Sequence, residues 1–226
     1  MLKDKNLQEQ TQLVSQISHD LRNILTLIDS SLQLMESNHP EVADYKYWPE
    51  TKKDIKYMKT YLIALSNYNK SGVLSLTTFD LRRMLTELHQ ELSFTLLEKN
   101  ISITLDLNQD IQYIIGDPMK LNHVIKNIIS NSLEACEATD TYGRIRVILE
   151  KTESGILLKI SDNGQGILPE FINDAFSPFS TSKKEHVGLG LSTCQRIIQA
   201  HNGTIEIESN LSEGTTVIIN LPFIKE

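Results

Sequence analysis

Apolar residues recur in the first third of the chain at alternating steps of three and four. Val14, Ile17, Leu21, Ile24 and Ile28 share one helical stripe, which Leu32 and Met35 continue. This is the heptad-like seam of a bundle helix, and it places Ile17, Leu21 and Ile24 inward. Ser37-Asn38-His39-Pro40 stops the pattern. It resumes near Pro49, with Ile55, Met58, Leu62 and Leu65 on one face. Two helices with a short connection predict an antiparallel hairpin. One hairpin encloses too little core to stand alone. Pairing two of them into a four-helix bundle buries both seams, so a homodimer is expected.

Beyond Ser71-Gly72 helical and strand periods alternate. Asp80 is placed to cap a helix reaching about Asn100, and Ile101–Leu107 alternates as a strand does. Asp117-Pro118 is a cap followed by proline at the first helical position. The helix it opens runs to about Cys136, with Leu121, Val124, Ile125, Ile128, Ile129 and Leu133 on its buried side. Residues 144–151 and 155–161 read as one strand pair, 203–209 and 215–221 as another, and 188–202 as a helix between them. The fold class expected is α+β: a helical hairpin, then an α/β sandwich with one mixed sheet covered by helices on one face. The expected domains are residues 1–72, a linker over 73–78, and residues 79–226.

A chain of 226 residues suits one large domain or two small ones, and 40% hydrophobic content supplies a core. A net charge of −7 argues against general nucleic-acid binding, which uses a basic face. Cys136 and Cys194 stand far apart, with no disulfide or metal spacing, which suits a reducing, cytoplasmic setting. No apolar run reaches the ~18 to 20 residues that span a bilayer. Direct membrane insertion is therefore not expected, although the chain could be the cytoplasmic part of a membrane-associated system.

Four segments carry unusual residues. Asn127, Asn131 and Glu134 lie four and three apart on an otherwise apolar helix, and so share a face. An amide oxygen is a hard, neutral ligand suited to Mg²⁺; the plainer alternative is a solvated face. Asp162-Asn-Gly164-Gln-Gly166 ends a strand in a carboxylate able to accept from an adenine amino group; the same residues are also good turn chemistry. The stretch from Phe176 to Lys183 holds an aromatic anchor, hydroxyls and a point charge at Lys183, or else is an ordinary surface loop. Gly188-Leu189-Gly190 enters a helix whose N–H groups can meet an anion.

The order and spacing of these four segments resemble the histidine-kinase branch of the ATPase superfamily that includes gyrase B and MutL. Residues 127–135 look like its N box, 162–166 its first glycine box, 176–179 its F box and 188–190 its second glycine box. The resemblance implies ATP and Mg²⁺ as cofactors. Asn131 would then coordinate Mg²⁺, Asn127 and Glu134 would support metal or phosphates, and Asp162 would hold adenine. Gly164 and Gly166 would border the pocket, and Gly188, Leu189, Gly190 and Lys183 would meet phosphates. Thr215 belongs to the matching closing hairpin. His186 and Val187 depart from the family's Gly-Thr-Gly-Leu-Gly, and the lid over 180–187 is short.

The same resemblance extends to Ser18-His19-Asp20-Leu21-Arg22-Asn23, which looks like the H box, with Ile24 where the family has proline. A neighbouring carboxylate can hold one ring proton and leave the other nitrogen nucleophilic. The resemblance implies a sensor histidine kinase. Such a chain phosphorylates His19 with Asp20 as base, and passes the phosphoryl group to an aspartate of a response-regulator receiver domain. Asn23 would position water for a phosphatase activity toward that partner. A competing reading is an ATP-independent phosphotransfer dimer acting as a scaffold, for which the altered second glycine box is the only support.

Overall fold

The computed structural model describes residues 2–111, 113–181, 183 and 186–223. Ser182, Lys184 and Glu185 of the expected lid lie outside the described residues. The chain divides into two compact units: Met1–Lys70 with Thr181–Leu189, and Ser71–Ser180 with Gly190–Glu226.

The first unit is built on α1 (Leu2–Asn38) and α2 (Trp48–Lys70), joined through a 3-10 turn at Pro40–Asp44. Lys59 pairs with Asp29 at 2.6 Å and Lys52 with Glu36 at 2.5 Å, so the two helices run antiparallel. The residues turned inward are Ser18, Arg22, Leu25, Asp29, Leu32 and Glu36 on α1, and Trp48, Lys52, Ile55, Lys59, Leu62 and Ser66 on α2. Both sets step by four and three, as a two-helix seam requires.

Within one chain the expected seam is only partly covered. Ile17, Leu21 and Ile24 are 50%, 44% and 53% exposed, and Ile28, Met35 and Met58 are exposed too. The reason is geometric. The apolar stripe of a bundle helix is wider than one contact, and a single hairpin covers only the flank carrying Ser18, Leu25 and Leu32.

The second unit begins with β1 (Thr77–Phe79), α3 (Leu81–Glu98), β2 (Ile101–Leu107), β3 (Ile114–Gly116) and α4 (Pro118–Glu137). It continues with β4 (Gly143–Lys151), β5 (Gly155–Asp162), the single turn α5 (Pro169–Ile172), α6 (Gly190–Ala200), β6 (Thr204–Asn210) and β7 (Gly214–Pro222). Five strands form one mixed sheet in the order β2-β4-β5-β7-β6. Only the β2–β4 pair is parallel. Alternate residues Ile145, Val147 and Leu149, Ile156, Leu158 and Ile160, and Val217, Ile219 and Leu221 join Val124, Ile125 and Ile128 of α4 and Ile197 and Ile198 of α6 in one core. Along β4 the intervening residues are largely exposed, as expected for a sheet covered on one face.

Two short features were not expected. β1 and β3 pair antiparallel as a separate two-stranded ribbon, and three residues per strand are too few to show a period of two. Residues 71–78 are also held in this unit. Ser75 N–H donates to the Asp117 carboxylate at 2.8 Å, and Arg196 Nε donates to the buried Ser71 hydroxyl at 3.0 Å.

Candidate functional site: a nucleotide cleft and an exposed histidine

Helix α4 is the spine of the candidate nucleotide site. Asp117 caps it, accepting from Lys120 N–H at 3.0 Å. The cap's own N–H donates to His201 Nε2 at 2.9 Å, while His201 Nδ1 donates to the Ile197 carbonyl at 2.8 Å. The start of α4 and the end of α6 are thus joined through one imidazole. Ile125, Ile128 and Ile129 are buried, while Asn127, Asn131 and Glu134 are half-buried on the next face. Asn131 Nδ2 donates to Asn127 Oδ1 at 3.3 Å. With its nitrogen so used, the Oδ1 of Asn131 is the atom suited to a hard cation. Among the described residues no group of three or more His, Cys, Asp or Glu could hold a metal ion. A single amide oxygen fits Mg²⁺, which keeps waters and takes phosphate oxygens.

Asp162 ends β5 and reaches α4. Its carboxylate accepts from Ser132 Oγ at 2.8 Å, Gly164 N–H at 3.0 Å and Thr215 N–H at 3.2 Å. Burial pushes the carboxyl above its usual range, against these three donors. A carboxylate offers about four lone-pair sites, so about one remains for a ligand N–H.

The glycines of the site are spaces filled by neighbours. A Cβ on Gly164 would stand 2.5 Å from the Ala135 carbonyl carbon, and one on Gly190 would stand 2.7 Å from Asn127 Nδ2. Gly166 has φ +71 and lies under the Asn210 carbonyl, where a Cβ would come within 2.1 Å.

Three of the four sequence segments therefore meet along α4. Asn127, Asn131, Glu134, Asp162, Gly164, Gly190 and Thr215 belong to one unit. Lys183, Gly188 and Leu189 fall in the segment grouped with the hairpin. There Lys183 N–H donates to Thr181 Oγ1 at 3.1 Å, Gly188 has φ +73, and Leu189 is 1% exposed. Phe176 packs on the core, while Phe179 is exposed.

Sequence reasoning missed Ser132, whose signal was a hydroxyl at a core position of an apolar helix. It also missed Asn163, which is a strut. Asn163 Oδ1 accepts from Arg144 N–H at 2.6 Å and its Nδ2 donates to the Tyr142 carbonyl at 3.0 Å.

On α1, the side chain of His19 is 61% exposed, with Nδ1 3.2 Å from Asp20 Oδ1. Asn23 Nδ2 stands 3.4 Å from the same nitrogen, so Asp20 and Asn23 are alternative partners of Nδ1. Gln16 Nε2 donates to Asp20 at 3.3 Å and steadies it. A proton on Nδ1 shared with Asp20 leaves the lone pair on Nε2.

Residues 116–225 match the family described as histidine kinase-, DNA gyrase B-, and HSP90-like ATPase. Over 213 residues, 94% of this chain, the sequence is 30% identical to sporulation kinase C of Bacillus subtilis, of which it covers 49%. The chain is homologous to the sensor histidine kinases. A second histidine-kinase relative, the C4-dicarboxylate transport sensor protein DctB of Rhizobium meliloti, is 40% identical over 120 residues, 53% of this chain and 19% of that protein. The chain spans about half, or less, of the curated relatives it matches.

Among solved structures, full-length ShkA in complex with AMPPNP has the same fold, with a TM-score of 0.78 at 20% identity over 95% of this chain and 46% of that one. Histidine kinase ThkA in complex with response regulator protein TrrA aligns with a TM-score of 0.65 at 25% identity, over 98% of this chain and 64% of that one. Among the described residues, no helix of this histidine-kinase chain is long and apolar enough to cross a membrane.

Proposed function

We propose that this chain binds ATP with Mg²⁺, phosphorylates His19, and passes the phosphoryl group to an aspartate of a response-regulator receiver domain. The observation that carries the reading is the ordered set along α4: Asp162 on Ser132, Gly164 on Ala135, and Gly190 on Asn127 beside Asn131. It provides a carboxylate for a base at one end and close backbone for phosphates at the other. An exposed imidazole with its own carboxylate, on α1, supplies the acceptor.

In this reading Asp20 holds the Nδ1 proton and Nε2 attacks the γ-phosphorus. The P–N bond forms as the bond to the β–γ bridging oxygen breaks, and ADP leaves. Mg²⁺, when bound, offsets charge on the phosphates, with Asn131 as its protein ligand. Asn127 and Glu134 orient that ligand, and Gly188, Leu189 and Gly190 offer backbone to the phosphates. Lys183 adds a point charge. Catalysis is then mainly positioning and electrostatics. The response-regulator partner is supported by the ThkA–TrrA complex. A homodimer is supported by the exposed stripe through Ile17, Leu21, Ile24 and Ile28. Asn23, beside the His19 ring, positions water for partner dephosphorylation.

The test is incubation with γ-labelled ATP and Mg²⁺. Acid-labile, base-stable label is expected, absent in His19→Gln although that variant still binds nucleotide. Label retained by His19→Gln removes the acceptor assignment. Asn23→Ala is expected to keep kinase activity and lose dephosphorylation of the labelled partner; unchanged dephosphorylation ends the phosphatase reading.

A further inference from the structure

The direction of a nucleotide along α4 follows from the contacts at its two ends. The adenine carboxylate, Asp162, is bonded to Ser132, and Gly164 lies on Ala135. The phosphate-side glycine, Gly190, lies on Asn127. From base to phosphates the ligand therefore runs toward the N-terminus of α4. At ~1.5 Å rise per residue, Asn127 is about 7.5 Å from Ser132 along the axis. The chain of phosphates continues past it, and the next residue on that face is His123, roughly 13.5 Å from Ser132.

His123 is half-buried, in the same i, i+4 row as Asn127 and Asn131. Neither the acceptor nor the metal chemistry uses it. The plain alternative is a histidine at the margin of an amphipathic helix. Burial, and then the nearby charge of Lys120, hold its pKa below the ordinary imidazole value. The ring is therefore neutral at pH 7, with one N–H to give.

We propose that His123 donates a hydrogen bond to the terminal phosphate of bound ATP, and so lets this site tell ATP from ADP. The inference rests on the nucleotide reading above. It adds a specificity determinant at the far end of the cleft, one turn beyond Asn127. The bond is made by a neutral donor and involves no proton transfer. It draws the γ-phosphate toward α4 without placing a fixed cation against the group that must leave.

The test uses the full chain with Mg²⁺ and calorimetric titration of two probes, ADP and the non-hydrolysable analogue AMPPNP. His123→Ala is expected to weaken AMPPNP about tenfold, the loss of one hydrogen bond to a charged group, and to leave ADP within about twofold. His123→Gln keeps an amide donor and is expected to recover most of the AMPPNP affinity while still binding ADP normally. A packing role gives a different result: the two probes weaken together, or Gln fails to rescue. Either result overturns the assignment, as does unchanged binding of both probes to His123→Ala. If the unsubstituted chain binds neither probe, the nucleotide reading itself falls and takes this one with it.

Discussion

In the proposed nucleotide site, Asp162 is the residue at which protonation state and ligand chemistry meet. Its carboxyl is raised by burial, despite donors from Ser132, Gly164 and Thr215. The sign for stability follows. The unfolded chain ionises first as pH rises, so the ligand-free fold loses stability between the unfolded and folded pKa values, and the loss is constant above both. The sign for binding is opposite. An adenine amino group needs an acceptor, so ADP affinity should fall as pH drops through the raised pKa, above the ordinary carboxylate range. Asp162→Asn should weaken ADP by about 2 kcal/mol, roughly thirtyfold, because a charged acceptor is lost and an NH₂ faces existing donors. It should also flatten the pH profile. Titration of ADP from neutral pH down through the acid range checks both effects, and a variant retaining the wild-type slope assigns the profile to another group.

Legibility at this scale depended on residue type. Asn127, Asn131 and Asp162 stand out because polar groups on apolar elements require a reason. Ser132 did not, because a helical serine has an ordinary explanation as a self-satisfied hydroxyl.

At the scale of elements, α4 depends on its first turn. Asp117 is buried. Burial works to raise its carboxyl, but N–H donors from Ser75, Lys120 and Met119 outweigh this and hold it below the usual range. A depressed folded-state pKa contributes stability that is present above the unfolded value and lost as pH falls through the folded one. Asp117→Ala should cost about 1 to 2 kcal/mol from the cap. It should also reduce the acid sensitivity of unfolding. Urea melts from pH 7 down to about pH 2, through the range in which the folded-state carboxylate takes its proton, measure both; equal destabilisation throughout would show that the carboxylate charge is not the stabilising feature.

The caps at Asp80 and Asp117, and the alternation in β2, β4, β5 and β7, were readable because each is a local rule carried by adjacent residues. The β1–β3 ribbon was not, since its pairing is between distant segments and its strands are short. The start of α6 at Gly190 instead of residue 188 has a physical origin in Gly188, whose φ of +73 is outside the helical region.

For the whole molecule, the hairpin shows how one sequence pattern divides between a covered and an exposed flank. The apolar periodicity of α1 was correct as periodicity, yet the flank with Ser18, Leu25 and Leu32 faces α2, and the flank with Ile17, Leu21 and Ile24 is exposed. Sequence spacing gives the period of a stripe but not its division between partners. If the exposed flank is the dimer seam, Ile24→Glu should yield monomers by light scattering at micromolar concentration. The melting temperature of the unsubstituted protein should rise with protomer concentration, because association stabilises only the folded form. A concentration-independent melt with unchanged mass for Ile24→Glu would remove the dimer.

The fastenings of residues 71–78 carry a mechanical consequence. Ser75 is tied to the cap of α4, and Ser71 to Arg196 of α6. A pull arriving along the backbone at Ser71 is therefore delivered to the cap of α4 and to the middle of α6, through one amide and one guanidinium.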